Sequence, residues 1–286
     1  MENMENFFTY QSYQWDIISH ILVFGVGATL AGLVYFVITA REVAPKYRMS
    51  NYLSAVVMIS AAIILFNQQQ SWDRTFSYNG DVWQANFANE AIGIGTTFSN
   101  GYRYLNWAID VPMLLLQILF VVPVAALAFR RLAWGFGAAG LLMVLFSYAA
   151  QVFEYGFNPA APDAAAVTKF WIFYVLGWLA YVVVLVIFFK GVMPYCKQLS
   201  PAAAGVMKGI AILFLISWTI YGVVIAIPAF AWSSSGGVWR QVLFTIVDVT
   251  SKVVYGAMLS YVCVIRSRED GYNADSGTIQ EKSAST

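Results

Sequence analysis

Two ionisable side chains stand in one of the least water-like stretches of this sequence. In "FTIVDVTSKVVYGAMLSYVCVI", Phe244 to Ile265, Lys252 follows Asp248 by four residues, one turn along the same face of a helix. A charge at membrane depth costs about 2.5–3.5 kcal/mol, so it usually has a partner and a task. A neutral lysine in an apolar pocket can condense with an aldehyde to form an imine. Protonated, that imine is a buried cation and needs a counterion. An ion pair that pins two helices is the plainer alternative.

A second stretch, "RYLNWAIDVPMLLLQ", sharpens the choice. Arg103, Asn106, Asp110 and Gln117 are spaced by three, four and seven residues, which places them on one narrow helical face. Interhelical hydrogen bonding explains an Asn106 or a Gln117 by itself. It does not explain a mid-helix carboxylate matched by a mid-helix lysine. Trp107, Trp218 and Tyr221 are core aromatics or, around Lys252, walls for a flat conjugated ligand.

The elements that carry these residues follow from composition. Hydrophobic residues make up 60% of the chain and charged residues 11%, and mean hydropathy is +0.66. So much apolar surface is not covered by so few polar residues in a water-soluble domain. A net charge of +1 gives no sign of a nucleic-acid partner. About seven segments can cross roughly 30 Å of hydrocarbon, near 16–40, 49–70, 102–129, 133–155, 168–192, 205–229 and 239–266. Arg41, Lys46, Arg48, Arg130, Arg131, Lys190, Lys197, Lys208, Arg266 and Arg268 gather on one side, which predicts that side as cytoplasmic. The expected fold is therefore an all-α seven-helix membrane bundle with its N-terminus outside and its C-terminus inside.

Residues 1–15 read as an extracellular segment without the basic start of a cleaved leader, and 16–268 as the membrane domain. From 269 to 286 the chain is polar and Ser-rich, which predicts a disordered cytoplasmic tail. Cys196 and Cys263 fall near the cytoplasmic face, where no disulfide is expected. Asn79-Gly80 predicts a hairpin in the one long connection, 71–101.

Together the two motifs resemble those of the microbial rhodopsins, across the chain from the first helix to Ser267. The resemblance implies all-trans retinal bound to Lys252 as a protonated Schiff base, in a pocket that includes Trp107, Trp218, Tyr221 and Met143. It also implies a pump or a photoreceptor of the inner (plasma) membrane, rather than an enzyme. Outward proton pumps carry Asp, Thr and a carboxylate at three positions of the third helix. Here those positions read Asn106, Asp110 and Gln117, which resembles the light-driven sodium-pumping rhodopsins.

That likeness assigns further expected roles. Asp110 is the counterion and proton acceptor, and Asn106, Asp110 and Asp248 are the surroundings of transient sodium. Asn51, Ser54, Ser60 and Ser260 lie along the cytoplasmic path; Arg103 separates the cavity from an exit built from Glu5, Glu154 and Arg240. His20 matches a contact between protomers of a pentamer, although a core histidine is the alternative. Gly222 stands where many members carry proline, and Ser260 where some sodium pumps carry glycine. Tyr174 matches the position of a glycine gap in relatives that bind a carotenoid antenna, so no antenna is expected. Outward proton pumping, alone or when sodium is scarce, and photosensory signalling are the rival functions.

Overall fold

A computed structural model describes residues 3–86 and 97–279. Seven long helices form a closed ring: α1 (Ser12–Thr39), α2 (Arg48–Thr75), α3 (Gly101–Leu119), α4 (Ala126–Val152), α5 (Ala164–Cys196), α6 (Pro201–Ile225) and α7 (Ser234–Glu269). Six of them are long and apolar enough to cross a membrane. The seventh, α3, is the shortest and carries Arg103, Asn106, Asp110 and Gln117, all buried. Its polarity is directed into the bundle, where lipid does not meet it.

Chain neighbours pack as neighbours, and α7 closes the ring against α1. α5 meets α6 through side chains. Tyr174 and Tyr181 donate to the carbonyl oxygens of Gly222 and Leu215 at 3.1 and 3.2 Å, and Phe188 stacks on Phe214. Large apolar side chains such as Phe24, Ile63, Leu179 and Ile212 are exposed on the outer surface. Beside water that would be unfavourable; beside acyl chains it is the expected arrangement.

Two helix ends depart from the pattern in the sequence. Hydropathy runs on through residue 129, but α3 stops at Leu119 and α4 begins at Ala126. Pro123 explains the break, because it has no amide hydrogen to donate and disfavours a helical residue before it. Arg130 and Arg131 therefore belong to α4 and not to a loop. At the other end of α4 the helix closes at Val152, and Glu154 falls in a short 3₁₀ turn, Glu154–Phe157.

The expected hairpin forms. β1 (Phe76–Tyr78) pairs antiparallel with β2 (Trp83–Ala85). The Asn79 side chain accepts from the amides of Asp81 and Val82, and Gly80 has φ +100°, a conformation that favours glycine. Trp83 stacks on Trp15 with ring centroids 4.1 Å apart, and its backbone pairs with Tyr10. These contacts seat the N-terminal segment on the bundle. The tail differs from the expectation of disorder over its first part. β3 (Tyr272–Asn273) pairs with β4 (Thr278–Ile279), and Tyr272 is buried against the ends of α1 and α2. Residues 280–286 lie outside the described residues. Cys196 and Cys263 are free and buried.

Candidate functional site

Lys252 lies where α7 loosens into a π-turn, Thr250–Val254. Such an extra residue within a helix re-aims the side chains around it and is frequent at functional sites. The Lys252 ammonium sits 2.6 Å from Asp248 Oδ1 and 3.5 Å from Asp110 Oδ2, with Asn106 Oδ1 also at 3.5 Å. All four side chains are buried. The two sequence motifs thus meet at one nitrogen.

The two carboxylates differ in their surroundings. Asp248 accepts from Arg103 Nη1 at 2.7 Å, Trp107 Nε1 at 3.0 Å and Tyr221 Oη at 2.7 Å, besides Lys252. Asp110 is less closely held: Lys252 Nζ stands 3.5 Å from one oxygen, Ser60 and the Asp248 carboxylate are its other polar neighbours, and it accepts none of the short hydrogen bonds that surround Asp248. Asn106 donates instead to Ser60 Oγ at 2.5 Å. Asp248 is the tighter partner of the lysine; Asp110 is the one with open lone pairs.

From Lys252 an apolar cavity extends between α3, α4, α5 and α6. Trp107, Met143, Trp178, Trp218 and Tyr221 line it, with Gly222 at the wall between α5 and α6. A Cβ at position 222 would come within 2.3 Å of the Trp178 ring, so the indole occupies space that only glycine leaves. One amine at the end of an aromatic, otherwise apolar slot fits a conjugated aldehyde: the slot receives the hydrocarbon and the amine takes the carbonyl carbon.

The family of bacteriorhodopsin-like proteins matches residues 16–265, which include the cavity, α3 and the lysine. The chain belongs to this family. Microbial rhodopsins are ion pumps or sensors, and membership implies retinal joined by a Schiff base, which Lys252 and its slot accommodate. The fold is similar to that of xanthorhodopsin, described as a light-driven ion pump with dual chromophore. The TM-score is 0.81 at 26% identity, over 93% of this chain and 99% of that one. A thermophilic rhodopsin gives 0.81 at 20% identity over 92% and 99%. The rhodopsin of Exiguobacterium sibiricum gives 0.70 at 20% identity over 88% and 98%. The last two likenesses show the fold alone. Compared by sequence with curated proteins, this rhodopsin finds no match.

Polar residues continue on both sides of the lysine. Towards the N-terminal face, Arg103 Nη2 donates to Thr245 at 3.1 Å and to Gln241 at 3.4 Å. Gln241 donates in turn to Glu5 at 2.7 Å and to Asn100 at 2.9 Å. Arg240 binds Glu154 through both terminal nitrogens, at 2.9 and 2.6 Å, and approaches Glu5 at 3.4 Å. Glu5 belongs to a 3₁₀ turn, Met4–Phe7, that plugs the mouth of the bundle. Asn3 and the Met4 amide donate to Glu154 and fix the plug. Burial raises the Glu5 carboxyl above its ordinary range; the Arg240 charge opposes this and the Glu154 charge adds to it.

Towards the C-terminal face the path is neutral. Ser54 donates to Gln117 Oε1 at 3.2 Å. Asn51 donates to Ser260 at 3.0 Å and Thr39 at 3.2 Å, and Ser260 to Thr39 at 3.3 Å. Gln117 Nε2 and Asn51 Oδ1 are buried without a partner among the described residues.

The structure therefore gathers Arg103, Asn106, Asp110, Asp248 and Lys252 at the centre, Glu5, Glu154 and Arg240 at one mouth, and Asn51 and Ser260 near the other. His20 stands apart, exposed on the outside of α1, which excludes the core-histidine alternative. Sequence reasoning missed Asn3, Thr39, Asn100, Trp178, Gln241 and Thr245. Thr245 and Gln241 carried a signal, lying three and seven residues before Asp248, on the helix face that already bears Lys252. Thr39, at the end of an apolar helix, carried none.

Proposed function

We propose that this rhodopsin exports sodium ions, driven by light. The observation that carries the reading is the inner face of α3, where the carboxylate of Asp110 stands between two amides, Asn106 and Gln117, and faces the Lys252 nitrogen at 3.5 Å. Retinal bound at Lys252 Nζ supplies the absorption of light and the energy it delivers at that nitrogen.

Asp110, at 3.5 Å, takes up a proton leaving Nζ without giving up other donors, whereas Asp248 is held in its charged form by Arg103, Trp107 and Tyr221 besides Lys252. A charged Nζ bars a second cation: like charges about 4 Å apart repel by about 4 kcal/mol at an effective dielectric of about 20. Once Asp110 holds the proton, that barrier is removed. Sodium is a hard cation that seeks oxygen ligands, and Thr39, Asn51, Ser260, Ser54 and Gln117 offer neutral ones from the cytoplasmic side. It then pauses near Asn106, Asp110 and Asp248, with Ser60 holding the Asn106 amide. Return of the proton to Nζ restores the barrier behind it. Arg103 and the Glu5, Glu154 and Arg240 cluster form the way out.

Gln117 supports sodium over protons, because an amide cannot serve as a cytoplasmic proton donor. Outward proton pumping when sodium is scarce stays the second reading, since Asp110 accepts a proton in either case. Tyr174 and Trp178 fill the wall between α5 and α6, which supports a single chromophore without a carotenoid. His20, on the outer face of α1, is read as a protomer contact in a pentamer.

Illuminated cells in sodium medium test the proposal. A sodium pump produces an alkalinisation that a protonophore enhances, as protons flow in passively. An acidification abolished by the protonophore means a proton pump, and no change in either condition means a sensor.

A further inference from the structure

A groove opens at the C-terminal face between the ends of α1 and α2. Its upper edge is Arg41, Arg48 and Tyr272 of the tail hairpin; its lower wall is Val37, Ala40 and Tyr52. Arg48 is held in place, donating Nε to the Val43 carbonyl at 2.7 Å and Nη2 to Tyr272 Oη at 2.6 Å. Tyr272 in turn donates to the Arg41 carbonyl at 3.3 Å. The hairpin thus positions one guanidinium and pins the backbone that bears the other.

The charge of these arginines is not neutralised locally. Among the described residues, neither forms an ion pair. Glu42, next to Arg41, pairs with neither arginine. Of the acidic groups that the tail brings to this face, Asp270 is taken by Lys46 at 2.9 Å and Tyr47 at 2.8 Å, and neither Glu269 nor Asp275, in the hairpin turn, pairs with Arg41 or Arg48. Below the guanidinium groups the groove turns apolar, and Val37 and Tyr52 are 58% and 51% exposed on the surface that faces acyl chains. A ligand matching both parts is amphipathic, with an anionic head and a hydrocarbon tail. Arginine forks suit phosphate oxygens, and basic pockets at the cytoplasmic ends of membrane helices suit anionic head groups.

We propose that this groove seats the phosphate of an anionic phospholipid from the cytoplasmic leaflet, with an acyl chain along Val37 and Tyr52. A free phosphate or a soluble anion would use the arginines and leave the apolar wall without purpose. The site is separate from the pumping path and does not depend on which ion is moved.

Retention of lipid by the purified full-length protein tests this. The protein is exchanged into detergent with equal phosphatidylglycerol and phosphatidylcholine, stripped stepwise, and the lipid still bound is counted by native mass spectrometry. The parent should keep phosphatidylglycerol in preference. Arg41→Gln, whose side chain has no described ion-pair partner to lose, should retain it about fivefold less, the factor expected for one cation near a membrane surface. Arg48→Gln should add a similar loss. Lys197→Gln, an exposed lysine elsewhere on the same face, should change nothing. Millimolar inorganic phosphate should not displace the lipid. Circular dichroism shows that each variant is folded. Undiminished retention in Arg41→Gln overturns the site. An equal loss in Lys197→Gln reduces it to general surface charge, and displacement by phosphate makes it a free-anion site; either result rejects the proposal.

Discussion

The two halves of the bundle, on either side of Lys252, are built from different materials. Towards the N-terminal face lie Arg103, Arg240, Glu5 and Glu154, all buried and bridged by Gln241 and Asn100. Towards the C-terminal face, the path among the described residues runs along amides and hydroxyls: Gln117, Ser54, Asn51, Ser260 and Thr39. The charged half is over-connected, and removing one member strands others in low dielectric. The neutral half holds no buried ion pair among the described residues; unpartnered atoms occur in both halves, Gln117 Nε2 and Asn51 Oδ1 in one, Arg103 Nε and Arg240 Nε in the other. On the proposed route, a cation entering past Asn51 meets one unclaimed oxygen, Asn51 Oδ1, and others held only by neutral hydrogen bonds. On the same route, a cation leaving past Arg240 has to loosen the ion pairs to Glu5 and Glu154.

The largest expected effect lies at the divide itself. Lys252→Ala should give a folded protein that stays colourless when retinal is supplied, because Lys252 is the amine at the cavity. A visible, covalently bound chromophore in that variant would move the attachment elsewhere and remove the boundary between the halves.

Asp110→Asn should come next. Loss of its charge near Nζ narrows the excitation gap, so absorption should shift to the red, and pumping should stop for want of a proton acceptor. Absorption spectra and illumination in sodium medium check both. If Asp110→Asn keeps the parent's colour and transport, the counterion is Asp248, which is nearer the nitrogen at 2.6 Å. The centre would then belong to the charged half.

Stability compares the halves directly. Arg240→Ala leaves Glu154 and Glu5 buried without their cation and should cost about 3–5 kcal/mol. Asn51→Val removes hydrogen bonds that Ser260 and Thr39 can still make to each other, and should cost about 1 kcal/mol. Reversible unfolding in mixed micelles measures both. Equal losses would mean that the neutral half is as tightly coupled as the charged one.

The smallest effect concerns pH. Burial raises the Glu5 carboxyl, so the folded state holds that proton more firmly than the unfolded chain does. The contribution is full below the unfolded value and is lost as pH rises through the folded one. Thermal stability should therefore fall as pH climbs above the ordinary carboxylate range, and Glu5→Gln should flatten that slope. An unchanged slope in Glu5→Gln would place the titration on another group of the charged half.

Much of this was legible in the chain. The spacing of Arg103, Asn106, Asp110 and Gln117 alone put them on one face, and that face is buried, because a polar stripe on a lipid-exposed helix has nowhere else to go. The four-residue step from Asp248 to Lys252 alone set their contact. Six of the seven helices are apolar enough to be read from hydropathy alone, α3 was legible through its polar face, and the Asn79-Gly80 hairpin followed from turn chemistry. The sequence also contained the break between α3 and α4, in Pro123, although the apolar run across it concealed the stop.

Other features exist only in three dimensions. Nothing local announces that α7 takes a π-turn at Thr250–Val254, since an extra residue per turn is tolerated where tertiary contacts hold it. Asp248 and Asp110 are the same residue type; packing decided that one meets Arg103, Trp107 and Tyr221 besides Lys252, while the other faces Lys252 at the longer distance of 3.5 Å. The plug at Met4–Phe7 and the ordered hairpin at Tyr272 come from polar segments that fold because the bundle ends offer them partners. Thr39 joins Asn51 and Ser260 because three helices converge there, and a contact between distant parts of the chain leaves no mark on the residues beside it.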